Sequence, residues 1–236
     1  MSVPKELGNH PLCQFLLSGY LSVHDDPTNF PLDQEPALFD RYENIFQLAL
    51  DALKISREGL RRKAEFNFDS GNAANLESAV GVLRAVETLR QLNFQKITIP
   101  EPPAADILCK KDGQTVCCEV KTITKQSSPR KGFFFADQVY EKIFENIDKA
   151  RDQLHECAKE LPASTVTLFI SVSNWFDQAI YLTEQDYQYI VNRLAKDQLE
   201  GGDLRESLQG IDGVLFLTKF GNRFLFLNER GKSIDR

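Results

Sequence analysis

Asp106 and Glu119 stand thirteen residues apart, the dipeptide Asp112-Gly113 lies midway between them, and Lys121 follows two residues after Glu119. Asp-Gly between two strand-like runs is a strong signal for a two-residue hairpin turn. Such a turn pairs Lys111 with Gln114, Ile107 with Cys118 and, one step farther out, Asp106 with Glu119. Alternation along the second strand then puts Cys117, Glu119 and Lys121 on one face, with Val116, Cys118 and Val120 on the other. Two carboxylates directly opposite each other repel by roughly 3 kcal/mol at about 5 Å and an effective dielectric near 20. A divalent cation between them removes that penalty. The expected arrangement is a metal site with a lysine beside it; the plain alternative is a solvent-facing Glu119/Lys121 charge pair on an exposed strand.

The elements that must hold these residues follow from periodicity. From Pro36 an apolar stripe of Leu38, Phe39, Tyr42, Ile45, Phe46, Ala49, Leu50 and Leu53 predicts a helix. It is expected to end in the basic run Lys54, Arg57, Arg61, Arg62 and Lys63, a solvated end or a phosphate contact. The turn-rich stretch Asp69-Ser70-Gly71-Asn72 marks a boundary, dividing an irregular and helical region 1–70 from a domain at 71–236. Within that domain a helix is expected at 75–92 and a strand at 94–99. The hairpin strands follow at 105–110 and 114–122. A long helix at 137–161 carries apolar residues at spacings of three and four, and 166–172 reads as a buried strand. Thr183-x-x-Asp186 resembles a capping box opening a helix with Tyr187, Ile190, Val191 and Leu194 inward. Strands at 214–217 and 223–227 flank Gly221-Asn222 as a second hairpin. This alternation predicts an α/β fold, a mixed sheet with helices on both faces.

Bulk composition narrows the classes. A chain of 236 residues, 42% apolar and 26% charged, is long enough for one substantial core. Net charge of −6 argues against a protein that coats nucleic acid non-specifically, though not against an enzyme with a local basic groove. Five cysteines without a CxxC pair read as reduced thiols of a cytoplasmic protein. No apolar run approaches a membrane span, and the first ten residues lack a signal pattern. His10, His24 and His155 have no spacing that suggests a zinc site or triad.

Asp106 followed by Glu119-Val120-Lys121, with a helix and strand before and a long helix and strand after, resembles the PD-(D/E)XK motif of restriction-endonuclease-like nucleases. The resemblance covers about residues 72–172. It implies a restriction-endonuclease-like mixed central sheet flanked by helices, here with an N-terminal helical extension. It also implies Mg²⁺ (or Mn²⁺) bound by Asp106, Glu119 and the Val120 carbonyl, with Lys121 orienting or activating the attacking water. Ala105 replaces the family's proline without touching the chemistry. Many members add a glutamate from the first core helix, for which Glu77 fits by axial position and Glu87 by rotation. Relatives often use a Lys or Gln on the long helix, where Lys149 and Gln153 lie beside the apolar strip.

Hard carboxylate and carbonyl oxygens suit Mg²⁺, which keeps part of its water shell. The implied activity is metal-dependent hydrolysis of DNA phosphodiester bonds leaving a 5′-phosphate. The alternative is a non-catalytic nucleic-acid or protein binding module retaining the fold. DNA is the expected partner, a membrane is not, and a homodimer stays open. Lys125, Arg130 and Lys131 lie in an acid-free loop suited to a phosphate backbone. Trp175 and Phe176 read as core or rim packing rather than a base-stacking platform.

Overall fold

The computed structural model describes residues 36–61, 63, 73–101, 105–123, 136–172, 183–200, 208–218 and 221–234. Lys125, Arg130, Lys131, Trp175, Phe176, His10, His24 and the boundary at 69–72 lie outside them.

Six strands form one sheet in the order β1-β2-β3-β4-β5-β6: Gln95–Thr98, Ile107–Lys111, Gln114–Thr122, Val166–Val172, Gly213–Thr218 and Gly221–Phe226. The β1–β2, β2–β3 and β5–β6 pairs are antiparallel, while β3–β4 and β4–β5 are parallel. The long helices are α1 (Pro36–Leu53), α3 (Ala73–Gln91), α4 (Ala136–Lys159) and α5 (Glu184–Glu200), with short turns α2 (Arg57–Arg61) and α6 (Glu229–Lys232). The expected α/β class, a mixed sheet with helices on both faces, is the one observed.

Period-two alternation divides the core. Val116, Cys118 and Val120 of β3, with Leu168 and Ile170 of β4, pack against α1 and α3. Cys117 and Phe169 point the other way, into a cluster with Ile143, Ile147, Ala150 and Leu154 of α4 and Tyr187, Ile190 and Leu194 of α5. Alpha-helical crossovers are what parallel strands require, and α4 and α5 supply them for β3–β4 and β4–β5. The capping box is reciprocal: the Thr183 amide donates to Asp186 Oδ2 (2.7 Å) and the Asp186 amide to Thr183 Oγ1 (3.2 Å). Among the described residues no helix is long and apolar enough to cross a membrane.

Two expectations need correction. The first helix does not run on into the basic run. Lys54 takes φ 55°, α1 stops at Leu53, and the chain re-enters a short helix at Arg57. A left-handed residue ends a helix by turning the chain off its axis, and here a lysine bears that cost without a glycine. The basic residues consequently diverge: Arg57 lies over the Phe46 ring at 5.7 Å, and Lys63 pairs with Glu101 at 2.7 Å. The second hairpin also turns earlier than at Gly221-Asn222. Gly221, with φ 118°, already pairs with Thr218 as the first residue of β6.

Helix α3 approaches β3 through a missing side chain. A Cβ at Gly81 would stand 2.0 Å from Thr122 Oγ1 and 3.3 Å from Thr122 Cβ. Gly81→Ala gains about 1 kcal/mol of helix propensity but forces an overpacked contact costing about 1–3 kcal/mol. The clash should win. Urea unfolding is expected to show a net loss of roughly 1–2 kcal/mol, and a stabilised Gly81→Ala protein would contradict this packing.

Candidate active site

The Asp112-Gly113 turn has positive φ at both residues, 48° and 84°, the signature of a type I′ hairpin whose twist matches the strands. The register runs from Lys111↔Gln114 to Ile107↔Cys118. Asp106 immediately precedes the last paired residue, outside the strand, and its carboxyl lies near enough to that of Glu119 for the two to act on each other. It lies at the bend leading into β2, and its side chain reaches across: the Val120 amide donates to Asp106 Oδ2 at 2.7 Å. In an extended strand the N–H and C=O of one residue project to the same side. The Val120 carbonyl therefore faces the Asp106 side as well.

Glu119 is fully buried, with Lys121 on the same face and its side chain 25% exposed. Lys121 Nζ donates to Glu119 Oε1 at 2.5 Å and to Gln153 Oε1 of α4 at 2.8 Å. Glu119 Oε2 is buried and no protein donor closes a geometric hydrogen bond to it, while the Asp106 amide and carboxyl lie near enough to act on Glu119. A buried carboxylate oxygen left without a donor is costly, and a cation is one of the few groups that satisfies it. Among the described residues no third His, Cys, Asp or Glu completes a metal-ligand group. Mg²⁺ does not need one, since water fills its remaining positions.

The electrostatics match a pair of acids held too close. Burial pushes the Asp106 carboxyl up to about 7, and the neighbouring Glu119 pushes in the same direction, against the Val120 amide and Lys121. Burial also raises Glu119, opposed by the Lys121 ammonium. The two carboxyls interact directly and so hold a proton between them more readily than either would alone.

The remaining candidates separate. Glu77 lies on α3 one turn before Gly81, and its side chain is outside the described residues. Glu87 is buried and accepts a hydrogen bond from Gln91. It belongs to the helix covering the Val116/Cys118/Val120 face, opposite to the face carrying Glu119. Gln153 meets Lys121, whereas Lys149 is exposed on α4. His155 lies in a separate cleft with Arg151, Asp152, Gln209 and Gly210. Sequence reasoning missed Cys157, whose sulfur lies against that of Cys117. Both fall on regular stripes, Cys117 on the Glu119 face and Cys157 one turn after Gln153, but neither stripe reveals which residues meet.

Compared with protein-family models, curated proteins and solved structures, the chain finds no match.

Proposed function

We propose that the protein is a Mg²⁺- or Mn²⁺-dependent nuclease hydrolysing phosphodiester bonds in DNA, with a restriction-endonuclease-like fold. The observation that carries the reading is the pair of buried, mutually interacting carboxyls Asp106 and Glu119, with Asp106 on the Val120 amide and the Lys121 ammonium beside Glu119. Asp106, Glu119 and the Val120 carbonyl would hold the cation. When bound, the cation neutralises and polarises the phosphodiester and lowers the pKa of a coordinated water.

The chain's own residues set the conditions for that chemistry. Asp106 and Glu119 must release the proton that their proximity and burial favour before both can act as ligands. Lys121 Nζ holds positive charge at the site and stabilises negative charge developing on the attacking oxygen and phosphoryl group. Gln153 fixes that ammonium from the α4 side, so its position is set by a strand and a helix rather than a loop. The Lys125, Arg130 and Lys131 side chains would follow the phosphate backbone, and neutralising them should weaken binding and flatten its salt dependence.

Purified protein incubated with supercoiled, linear, branched and single-stranded DNA should cut at least one form in Mg²⁺ or Mn²⁺. EDTA and Asp106→Asn should both abolish the cleavage. Equal residual cleavage by wild type and Asp106→Asn on every substrate would assign the activity to a contaminant and leave the non-catalytic binding module.

A further inference from the structure

Below the Lys121–Gln153 contact, β3 and α4 meet a second time. Cys117 precedes Glu119 by two residues on the same strand face, and Cys157 follows Gln153 by four on the same helix stripe. Their sulfurs are 2.8 Å apart. A disulfide bond is about 2.05 Å long, so joining them requires less than about 1 Å of movement. The other thiol pair, Cys109 and Cys118, is 3.9 Å apart on the opposite face of the sheet. All four of these cysteines are free and buried, but Cys157 retains 6% exposure while Cys117 has none.

We propose that Cys117 and Cys157 are a peroxide-responsive pair that closes into a disulfide joining β3 to α4 beneath the acid site. The chemistry needs only hydrogen peroxide as oxidant, and Cys157, the less deeply buried residue of the two, is assigned as the first to react. Its sulfur attacks one peroxide oxygen, the O–O bond breaks, and sulfenic acid and water result. The Cys117 sulfur then attacks the Cys157 sulfur, the S–O bond breaks, and the departing hydroxide leaves with the thiol proton as a second water. Two thiols give up two electrons and two protons to one peroxide. The new bond closes a loop between residues 40 apart in sequence, which restricts the unfolded chain far more than the folded one.

The inference stands whether or not the protein cleaves DNA, and mass spectrometry tests it without an activity assay. The purified chain is treated with hydrogen peroxide, alkylated and digested with trypsin without reductant. Peptides 112–121, with one alkyl group on Cys118, and 152–159 should then appear joined, two hydrogens lighter than the sum of the two. Fragment ions broken between residues 117 and 118 assign the bonded sulfur in the wild-type chain, so nothing depends on a variant folding. Dithiothreitol should restore all five alkylatable cysteines, and the oxidised protein should melt roughly 5–15 °C above the reduced one. The proposal is overturned by a link through Cys13, Cys109 or Cys118 in its place. It is equally overturned by Cys157 recovered as sulfinic acid with Cys117 still alkylatable, or by an unchanged mass.

Discussion

Replacing Lys121 by alanine should lower the rate of DNA cleavage at saturating metal and DNA by about 10²–10³-fold, with DNA affinity changed by no more than about twofold. The asymmetry follows from where the ammonium sits. It is held 2.5 Å from one Glu119 oxygen and 2.8 Å from Gln153, at the acid pair rather than in the basic loop. In the proposed reaction a charge placed there would act on negative charge that appears during attack, and would contribute little to gripping a phosphate backbone spread over many nucleotides. Gln153→Ala removes one of the two anchors while keeping the ammonium, so its loss should be smaller, roughly tenfold. Single-turnover kinetics with a separate binding titration distinguish the cases. A Lys121→Ala protein that loses binding and rate in equal proportion would place the lysine in DNA grip. One that cleaves at the wild-type rate would remove it from the chemistry.

The parts of this site legible in the sequence were those set by local backbone rules. Asp-Gly has one strong preference between two strands, and that preference fixed the hairpin register from Lys111↔Gln114 to Ile107↔Cys118 and put Lys121 beside Glu119 on one face. What escaped was decided by tertiary contact. Lys54 ends α1 with neither glycine nor proline to announce it, and Arg57 then lies over Phe46 in the preceding helix. Gly221-Asn222 reads as a turn, but the glycine opens β6. Gln153 and Cys157 meet partners 32 and 40 residues away, and heptad-like spacing on α4 names a buried face without naming its register against β3. The orphaned Glu119 oxygen is likewise a property of packing. Sequence alone left open the plainer reading of Glu119 and Lys121 as a charge pair in solvent, and complete burial of Glu119 excludes that alternative.

Without divalent metal, the protein should become less stable as pH rises from about 4 through 7, and Asp106→Asn should remove most of that fall. Asp106 is raised from 3.8 to about 7 by burial and by Glu119. A carboxyl whose folded value exceeds its unfolded one is held protonated by the fold. Its stabilising contribution is therefore complete below the unfolded value, declines as pH climbs, and is gone above about 7. The full span corresponds to on the order of 4 kcal/mol, shared with Glu119 because the two carboxyls titrate together. Exposed acids such as Glu145 and Glu156, which their lysine neighbours lower, act with the opposite sign at the acid end and are common to both proteins. The informative quantity is thus the difference between wild type and Asp106→Asn, measured by urea unfolding in EDTA at pH 5 and pH 8. Asparagine keeps an oxygen for the Val120 amide and can donate to Glu119, so the variant should match wild type at pH 5 and exceed it at pH 8. Metal reverses the order: millimolar Mg²⁺ or Mn²⁺ should stabilise wild type, more strongly at pH 8 than at pH 5 because ligation requires the shared proton to leave, and should leave Asp106→Asn unmoved. A variant weaker than wild type at pH 8 in EDTA would show that the Asp106 charge supports the fold through its hydrogen bond to Val120. A metal shift equal in both proteins would move the cation away from this pair.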